Sequence, residues 1–443
     1  MAKKKTEKTD ICVIGAGYVG LVSGACLAEI GHRVVCVDSD PRKIAMLEKG
    51  VMPIYEEGLE SLVKRNVKAG RLFFSGSISE GMHHDGHRAA AVFIAVGTPP
   101  RPDGSADLSA IEKVAEEIAH SMSGYTVIVE KSTVPVETCE WINKTVLRHN
   151  KKNIPFDVAS NPEFLREGTA VGDFLKPDRV VLGCPSPQCE AVMRGIYRPM
   201  KGATVLVTDV KSAELIKHAS NSFLAAKISF INAVANVCEK TGADVEMVAK
   251  GMGLDKRIGM SFLKAGIGFG GFCFPKDLEA FYWLSQRKGY DFELLKAVKN
   301  INEDAKMWLV KKVQEELWNL EGKTVALLGL AFKPETDDMR FAPSIDIIAE
   351  LTKLGAKVRA YDPISQENAK KAIKGIYFAK DEYDCLAGAD CACLVTEWAR
   401  FAKLDMKKVM SLLKHPIFID GRNLYRPEKM RELGFTYRSV GRQ

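Results

Sequence analysis

Ile11-Cys12-Val13-Ile14-Gly15-Ala16-Gly17-Tyr18-Val19-Gly20 decides the reading of this 443-residue chain. Four apolar residues run into glycines spaced Gly-x-Gly-x-x-Gly, and an apolar stretch of helical composition follows. That order puts a tight turn between a strand and a helix. Glycines there let the backbone approach a pyrophosphate, and the helix N-terminus supplies N–H donors. A second apolar run over 33–37 ends in Asp38, eighteen residues after Gly20. An acid at that place accepts both ribose hydroxyls and repels a 2′-phosphate, so NAD is the expected cofactor, with Arg42 leaving NADP as the alternative.

Further strands are expected over 91–96, 126–130, 156–159, 179–182 and 205–207, several of them apolar on both faces as buried parallel strands are. Loops carry Gly and Pro, as in the run 97–104. The spacing predicts a doubly wound α/β domain over 10–208. From Lys211 to about Lys240 the pattern becomes one long helix without Gly or Pro. It is apolar on most faces, hence buried or part of an interface. A helical region over 209–318 follows, broken by the glycine-rich stretch 266–271. A second α/β pattern over 319–443 opens with strands at 324–328, ending in Gly329, and 356–360, ending in Tyr361-Asp362-Pro363. This repeats the plan of the first domain without its three-glycine turn, so a different nucleotide is expected there.

The charge balance, 63 basic against 56 acidic residues for a net +7, suits an enzyme handling phosphates and is too small and scattered for nucleic acid. Lys3, Lys4, Lys5 and Lys8 belong to a polar tail over 1–9 that is expected to be disordered. No apolar run approaches the ~20 residues of a membrane span, and the N-terminus lacks the apolar segment of a secretory signal. The eleven cysteines include no Cys-x-x-Cys. Cys12, Cys26, Cys36, Cys238 and Cys385 read as reduced core thiols, and a cytoplasmic enzyme is expected.

Lys217 and Asn221 stand one turn apart on the long helix, an arrangement that suits a reacting alcohol or an oxyanion but is also common on solvated helix faces. The run Gly268-Phe269-Gly270-Gly271-Phe272-Cys273-Phe274-Pro275-Lys276-Asp277 is more telling. Its glycines admit a ligand or a second segment, Lys276 favours a thiolate at Cys273, and Asp277 positions water. His83, His84 and His87 around Asp85 read as a solvated turn, and Cys391 and Cys393 as strand core. No metal site is expected.

Together with Ser132-Thr133-Val134-Pro135, the run 161–168 and the run 329–340, these stretches resemble the UDP-glucose/GDP-mannose dehydrogenase family over nearly the whole chain beyond the first nine residues. The resemblance implies two Rossmann-like domains joined by a long central helix that dimerises, with NAD on the first domain and UDP on the second. It implies a four-electron oxidation of a sugar C6 alcohol to the acid through a thiohemiacetal and thioester on Cys273. UDP-glucose is the expected substrate, and GDP-mannose or a UDP-N-acetylhexosamine the alternative. Lys217, Asn221 and Asp277 are assigned around the reacting carbon, with Thr133 and Glu163 assisting.

Glu167, Lys43, Thr98, Lys276 and Arg340 match cofactor positions beside the glycine turn with its Tyr18 and Val19. Phe164, Leu165, Lys264 and Gly270 match substrate positions, as do Phe332, Lys333 and Arg422, and Arg257 matches an arginine contributed by a partner subunit. Three residues depart from the family pattern: Phe272 replaces a small polar residue, Phe341 an acid, and Glu137 a glycine. A two-electron hydroxyacid dehydrogenase would need no Cys273, and a nucleotide-binding sensor would not need Lys217, Asn221 and Cys273 together.

Overall fold

The computed structural model describes residues 8–443, so Lys3, Lys4 and Lys5 lie outside the described residues. Its contacts divide it into two units meeting at Ser220 and Asn221, inside the long helix Val210–Thr241.

The first unit carries an eight-stranded sheet. Its order is Thr204–Thr208, Arg179–Gly183, Phe156–Ser160, Thr126–Glu130, Ala91–Ile94, Asp10–Ile14, Arg33–Val37 and Leu72–Ser75. The six strands from Phe156–Ser160 to Leu72–Ser75 are parallel. Arg179–Gly183 meets Phe156–Ser160 antiparallel at a single pair, Ser160 with Gly183, and is itself parallel to Thr204–Thr208. Both faces of the central strands are covered. Ile11 and Val13 enter one core cluster, Cys12 and Ile14 the other. Residues 11–14 are therefore apolar at every position, only Asp10 at the open end being polar, and each buried Ile or Val contributes roughly 1.5–3 kcal/mol.

The second unit repeats the plan in a fully parallel sheet of six strands. Its order is Tyr377–Phe378, Lys357–Tyr361, Thr324–Leu328, Cys391–Leu394, Ile417–Asp420 and Thr436–Ser439. Val325 and Leu327 face one core cluster, Ala326 and Leu328 the other. Counted in chain order, this sheet and the parallel part of the first both run 3-2-1-4-5-6, the order that places a ligand crevice beside the first strand.

The protein is thus α/β, with two large sheets separated in the chain by a helical region. That region holds the long helix and the helices Val245–Gly253, Cys273–Arg287 and Glu293–Leu317. Among the described residues no helix is long and apolar enough to cross a membrane.

The solvated turn expected around Asp85 is the tip of a short hairpin. His83–His84 and His87–Arg88 pair as a small antiparallel hairpin whose turn is Asp85, at φ 51°, and Gly86. An Asp-Gly pair suits a two-residue hairpin turn, in which both residues have positive φ. His84 Nδ1 lies 2.7 Å from Arg33 Nη2, so this histidine anchors the hairpin to the sheet.

Candidate active site

In the first unit the glycine turn leaves the strand Asp10–Ile14 with Gly15 at φ +101°, where a Cβ would fall 2.5 Å from the Ala95 carbonyl oxygen. A Cβ on Gly20 would strike the Gly15 carbonyl, so this glycine seats the helix Tyr18–Glu29 on the turn. At Gly17 a Cβ would meet nothing within 4 Å. Gly17 is also the N-cap of that helix, and no side chain caps the first turn. Open space before an uncapped helix N-terminus fits a pyrophosphate.

The buried Asp38 carboxylate accepts the Ala16 N–H at 2.9 Å and lies 3.1 Å from Lys43 Nζ; its second oxygen accepts the Asp40 N–H. Asp38 therefore holds the turn itself in shape, beyond any ribose contact. Tyr18 donates its hydroxyl to Glu56, whose two oxygens accept the Gly168 and Ala170 N–H groups at 2.7 and 2.8 Å. Burial, then the hydrogen bond to Glu56 and the charge of Glu56, raises the Tyr18 phenol well above its ordinary pKa. Glu56 thereby fastens the loop containing Glu167 to the glycine turn.

The same unit contains the start of the long helix. Lys217 is buried there, which removes the solvated-face reading, and its Nζ lies 2.8 Å from Glu163 Oε1. The other Glu163 oxygen accepts the Leu165 N–H at 2.6 Å. The Phe164 ring packs under two cations, 3.9 Å from the Arg179 guanidinium and 5.4 Å from Lys217 Nζ. Thr98 donates its hydroxyl to the Thr133 carbonyl at 3.0 Å, tying the ends of two neighbouring strands. Beside this group stands Lys131, a residue that sequence reading did not single out. Its Nζ donates to Asn161 Oδ1 at 3.0 Å. Burial lowers its pKa from 10.5 to about 8; Glu163 opposes this shift and Lys217 adds to it.

In the second unit Cys273 opens the helix Cys273–Arg287, with Phe272 as an N-cap that offers no side-chain bond. A helix N-terminus favours an anion. Of the eleven free cysteines nine are buried and Cys184 is half-buried; Cys273 is the exposed one. Lys276 and Asp277 follow on the same helical face, both buried. Lys276 Nζ lies 2.7 Å from one Asp277 oxygen, and Asn221 donates its Nδ2–H to the other at 2.6 Å.

The glycines before Cys273 accommodate a second segment of the chain. Asn302 accepts the Phe269 N–H and donates to its carbonyl, while a Cβ on Gly268 would collide with Asn302. Gly271, at φ +79°, has the Phe332 ring 2.7 Å from where its Cβ would be, and a Cβ on Gly270 would fall 2.3 Å from the Phe341 carbonyl oxygen.

The structure also joins residues expected at the substrate. Arg422 donates to the Val395, Gly268 and Phe332 carbonyls at 2.7, 3.0 and 3.3 Å, binding the Cys273 loop to the second sheet. Glu397, another residue missed in the sequence, lies 3.4 Å from Lys264 Nζ and 3.5 Å from Arg422 Nε. Despite the cost of its burial these two cations hold its carboxyl below the ordinary value. Arg340 pairs with Asp338 and stacks over the Phe272 ring, 4.3 Å from its centroid; Lys276 Nζ lies 5.5 Å from the same ring. Lys333 Nζ lies 5.5 Å from the Phe332 ring. Arg257 is not drawn into this group: it pairs with Asp255, and its side chain is 89% exposed.

A glycine turn with space before its helix, closed by a buried acid, marks the first unit as the dinucleotide-binding part of an NAD-dependent dehydrogenase. The sequence matches the UDP-glucose/GDP-mannose dehydrogenase family in its NAD binding domain over residues 9–201, its central domain over 211–304 and its UDP binding domain over 326–427. The chain is 47% identical over 434 residues to UDP-glucose 6-dehydrogenase TuaD of Bacillus subtilis, covering 98% of this chain and 93% of that one. It is 45% identical over 446 residues to a UDP-glucose 6-dehydrogenase of Pseudomonas aeruginosa, covering 98% and 97%. The solved UDP-glucose dehydrogenase from the hyperthermophilic archaeon Pyrobaculum islandicum superposes with a TM-score of 0.93 at 37% identity, each chain fully covered. The chain belongs to the UDP-glucose/GDP-mannose dehydrogenase family.

Proposed function

We propose that this protein oxidises the C6 alcohol of UDP-glucose to the carboxylate, reducing two NAD per sugar, with Cys273 as the covalent nucleophile. The observation that carries this reading is the exposure of Cys273 at a helix N-terminus, with Asp277 one turn further along and fixed on both oxygens. Bound NAD supplies the hydride acceptor for each oxidation. The chain does the rest. Lys217, held by Glu163, and Asn221, held by Asp277, orient the alcohol oxygen and stabilise negative charge developing on it. Removal of the alcohol proton and of a C6 hydride leaves the aldehyde. The Cys273 thiolate adds to that carbon and the carbonyl oxygen is protonated, giving a thiohemiacetal. Loss of a second hydride and the hydroxyl proton gives the thioester. Water, oriented by Asp277, then displaces the thiolate and releases the acid.

The other site residues take supporting parts. Gly15, Gly17, Val19 and Gly20 shape the cofactor cradle, with Asp38 and Lys43 at the ribose. Tyr18, Thr98, Thr133 and Glu167 border the cofactor, together with Lys276 and Arg340. Phe164, Leu165, Gly270 and Phe332 line the sugar and its diphosphate. Lys264, Lys333 and Arg422 supply positive charge. The long helix leaves Phe223, Phe230 and Val237 exposed at seven-residue intervals, which favours burial against a second copy in a homodimer or larger assembly, with Arg257 reaching the neighbour's substrate. Eleven free cysteines fit a reducing, cytoplasmic setting.

A panel of UDP-glucose, GDP-mannose and UDP-N-acetylhexosamines with NAD tests this. UDP-glucose is expected to give the highest kcat/KM, two NADH per sugar and no free aldehyde. Cys273→Ala is expected to abolish acid formation, and slowed Cys273→Ser to carry a sugar adduct visible by mass spectrometry. Near-normal acid formation by Cys273→Ala, or a preference for another sugar, refutes the corresponding half of the proposal. For subunit sharing, mixed Arg257→Ala and Cys273→Ala chains regain activity on exchange; demonstrated heterodimers without activity exclude it.

A further inference from the structure

The helices Ser109–Ser121 and Thr138–His149 pack against each other in the first unit. Glu116 and His120 are four residues apart on the first helix, so both project from one face. His149 is the last residue of the second. One carboxylate oxygen and two ring nitrogens from these three residues lie within 4.8 Å of one another. Glu116 Oε1 is 3.5 Å from His149 Nδ1, and the His120 and His149 rings meet edge-on with centroids 5.6 Å apart. An oxygen–nitrogen separation of that size is longer than a hydrogen bond. It matches the spacing of adjacent ligands around a tetrahedral ion with bonds of about 2.0–2.1 Å. Both helices also end here, so the negative poles of two helix dipoles converge on the cluster and favour a cation.

We propose that Glu116, His120 and His149 bind one divalent transition-metal ion of the zinc class, with water completing its coordination. Two imidazoles and one carboxylate select zinc, nickel or cobalt over magnesium and calcium, which prefer all-oxygen sites. The helices lead into the strands Thr126–Glu130 and Phe156–Ser160, so the cluster sits where those strands begin. The glycine turn lies where the strand Asp10–Ile14, parallel to them, ends. The ion would clip two helices at the sheet edge opposite the cofactor, which makes it a stabilising site with no part in hydride transfer. Sequence spacing does not reveal it, because His149 comes from a different helix.

The test titrates Zn²⁺ alone into chelator-stripped full-length protein carrying Cys273→Ser, which removes the exposed thiolate as a competing ligand. One equivalent is expected to bind, with a rise in the unfolding midpoint of roughly 5 °C at a hundredfold excess over the dissociation constant. His120→Asn and His149→Asn should each weaken binding at least tenfold. Co²⁺ should give the visible bands of a four-coordinate ion without thiolate charge-transfer absorption. NADH production by otherwise unmodified protein carrying His120→Asn should equal that of the parent. No saturable binding, or an undiminished equivalent in the His120→Asn/His149→Asn double variant, overturns the site.

Discussion

Asn221 donates its side-chain N–H to Asp277 across 2.6 Å, and Asp277, 0% exposed, has its other oxygen against Lys276 at 2.7 Å. The carboxylate is held from both sides, and Lys276 in turn depends on it for charge compensation. Removing one member of a buried pair leaves the other charged and dry, at about 3–5 kcal/mol. Asp277→Ala is therefore expected to lower stability by about 3 kcal/mol in urea denaturation, and Lys276→Met/Asp277→Ala to recover more than half of that. A single variant within about 1 kcal/mol of the parent would show that the pair is not needed to compensate burial.

Phe272 stands at the N-cap of the Cys273 helix, with the Arg340 guanidinium 4.3 Å from its ring centroid. The ring thus orders a cation assigned to the cofactor, and a cation–π contact of about 0.5–2 kcal/mol is at stake. Phe272→Ser should raise the KM for NAD by roughly 2- to 30-fold, leaving the ratio of kcat/KM between UDP-glucose and GDP-mannose nearly unchanged. A tenfold change in that ratio, with KM for NAD unmoved, would place the ring in the sugar pocket instead.

Much of the fold was legible because the pairing of a strand that ends in glycine with one that ends in an acid occurs twice, although only the first copy has the three-glycine turn. Gly15 N–H donates to the Val37 carbonyl and Ala16 N–H to Asp38; Gly329 N–H donates to the Tyr361 carbonyl and Leu330 N–H to Asp362. A strand ending in glycine, paired with a strand ending in an acid, is visible as a local pattern. The strands Leu72–Ser75 and Ile417–Asp420 were not read, since short apolar runs look alike in strand and helix. Nor does an apolar run disclose that Arg179–Gly183 pairs antiparallel with its neighbour. Lys217 with Asn221 and Cys273 with Asp277 are helical neighbours, so spacing could single them out as candidates, while their roles came from the family resemblance. Lys131, Glu56 and Glu397 act on partners 30, 112 and 133 residues away, so only the folded chain reveals them.

Glu137 lies at φ +80°, in the left-handed region, at the N-cap of the helix Thr138–His149, and its N–H donates to Glu214 at 2.8 Å. The strain explains why a glycine suits this place. A side chain in that region costs roughly 1–2 kcal/mol, and glycine returns about 0.5–1 kcal/mol of that through the freedom of the unfolded chain. Glu137→Gly is expected to raise stability by about 0.5–1 kcal/mol with unchanged activity, while Glu137→Ala, which keeps the strain, does not. Thermal unfolding of the two variants beside the parent decides it; a destabilised glycine variant would mean that the side chain outweighs the backbone.

Lys131 provides the pH test. Burial brings its pKa down from 10.5 to about 8, with Lys217 adding to the shift and Glu163 resisting it. Below pH 8 the lysine is charged in both folded and unfolded chains, and the folded state bears the full penalty of burying that charge. Between pH 8 and 10.5 the folded protein has released the proton while the unfolded chain still holds it. Stability due to this residue therefore rises with pH across that window, by about 3 kcal/mol in all. Lys131→Met fills a similar volume without a titrating group. The stability of the parent minus that of the variant should climb by about 2 kcal/mol between pH 7 and pH 10, whatever other lysines and tyrosines contribute to each protein alone. The measurement is urea denaturation of both proteins across that range. A difference that stays flat would mean that water or Asn161 solvates the ammonium well enough to keep its ordinary affinity for a proton. A difference that falls with rising pH would mean that Glu163, rather than burial, dominates at Lys131 and holds its pKa above the ordinary lysine value.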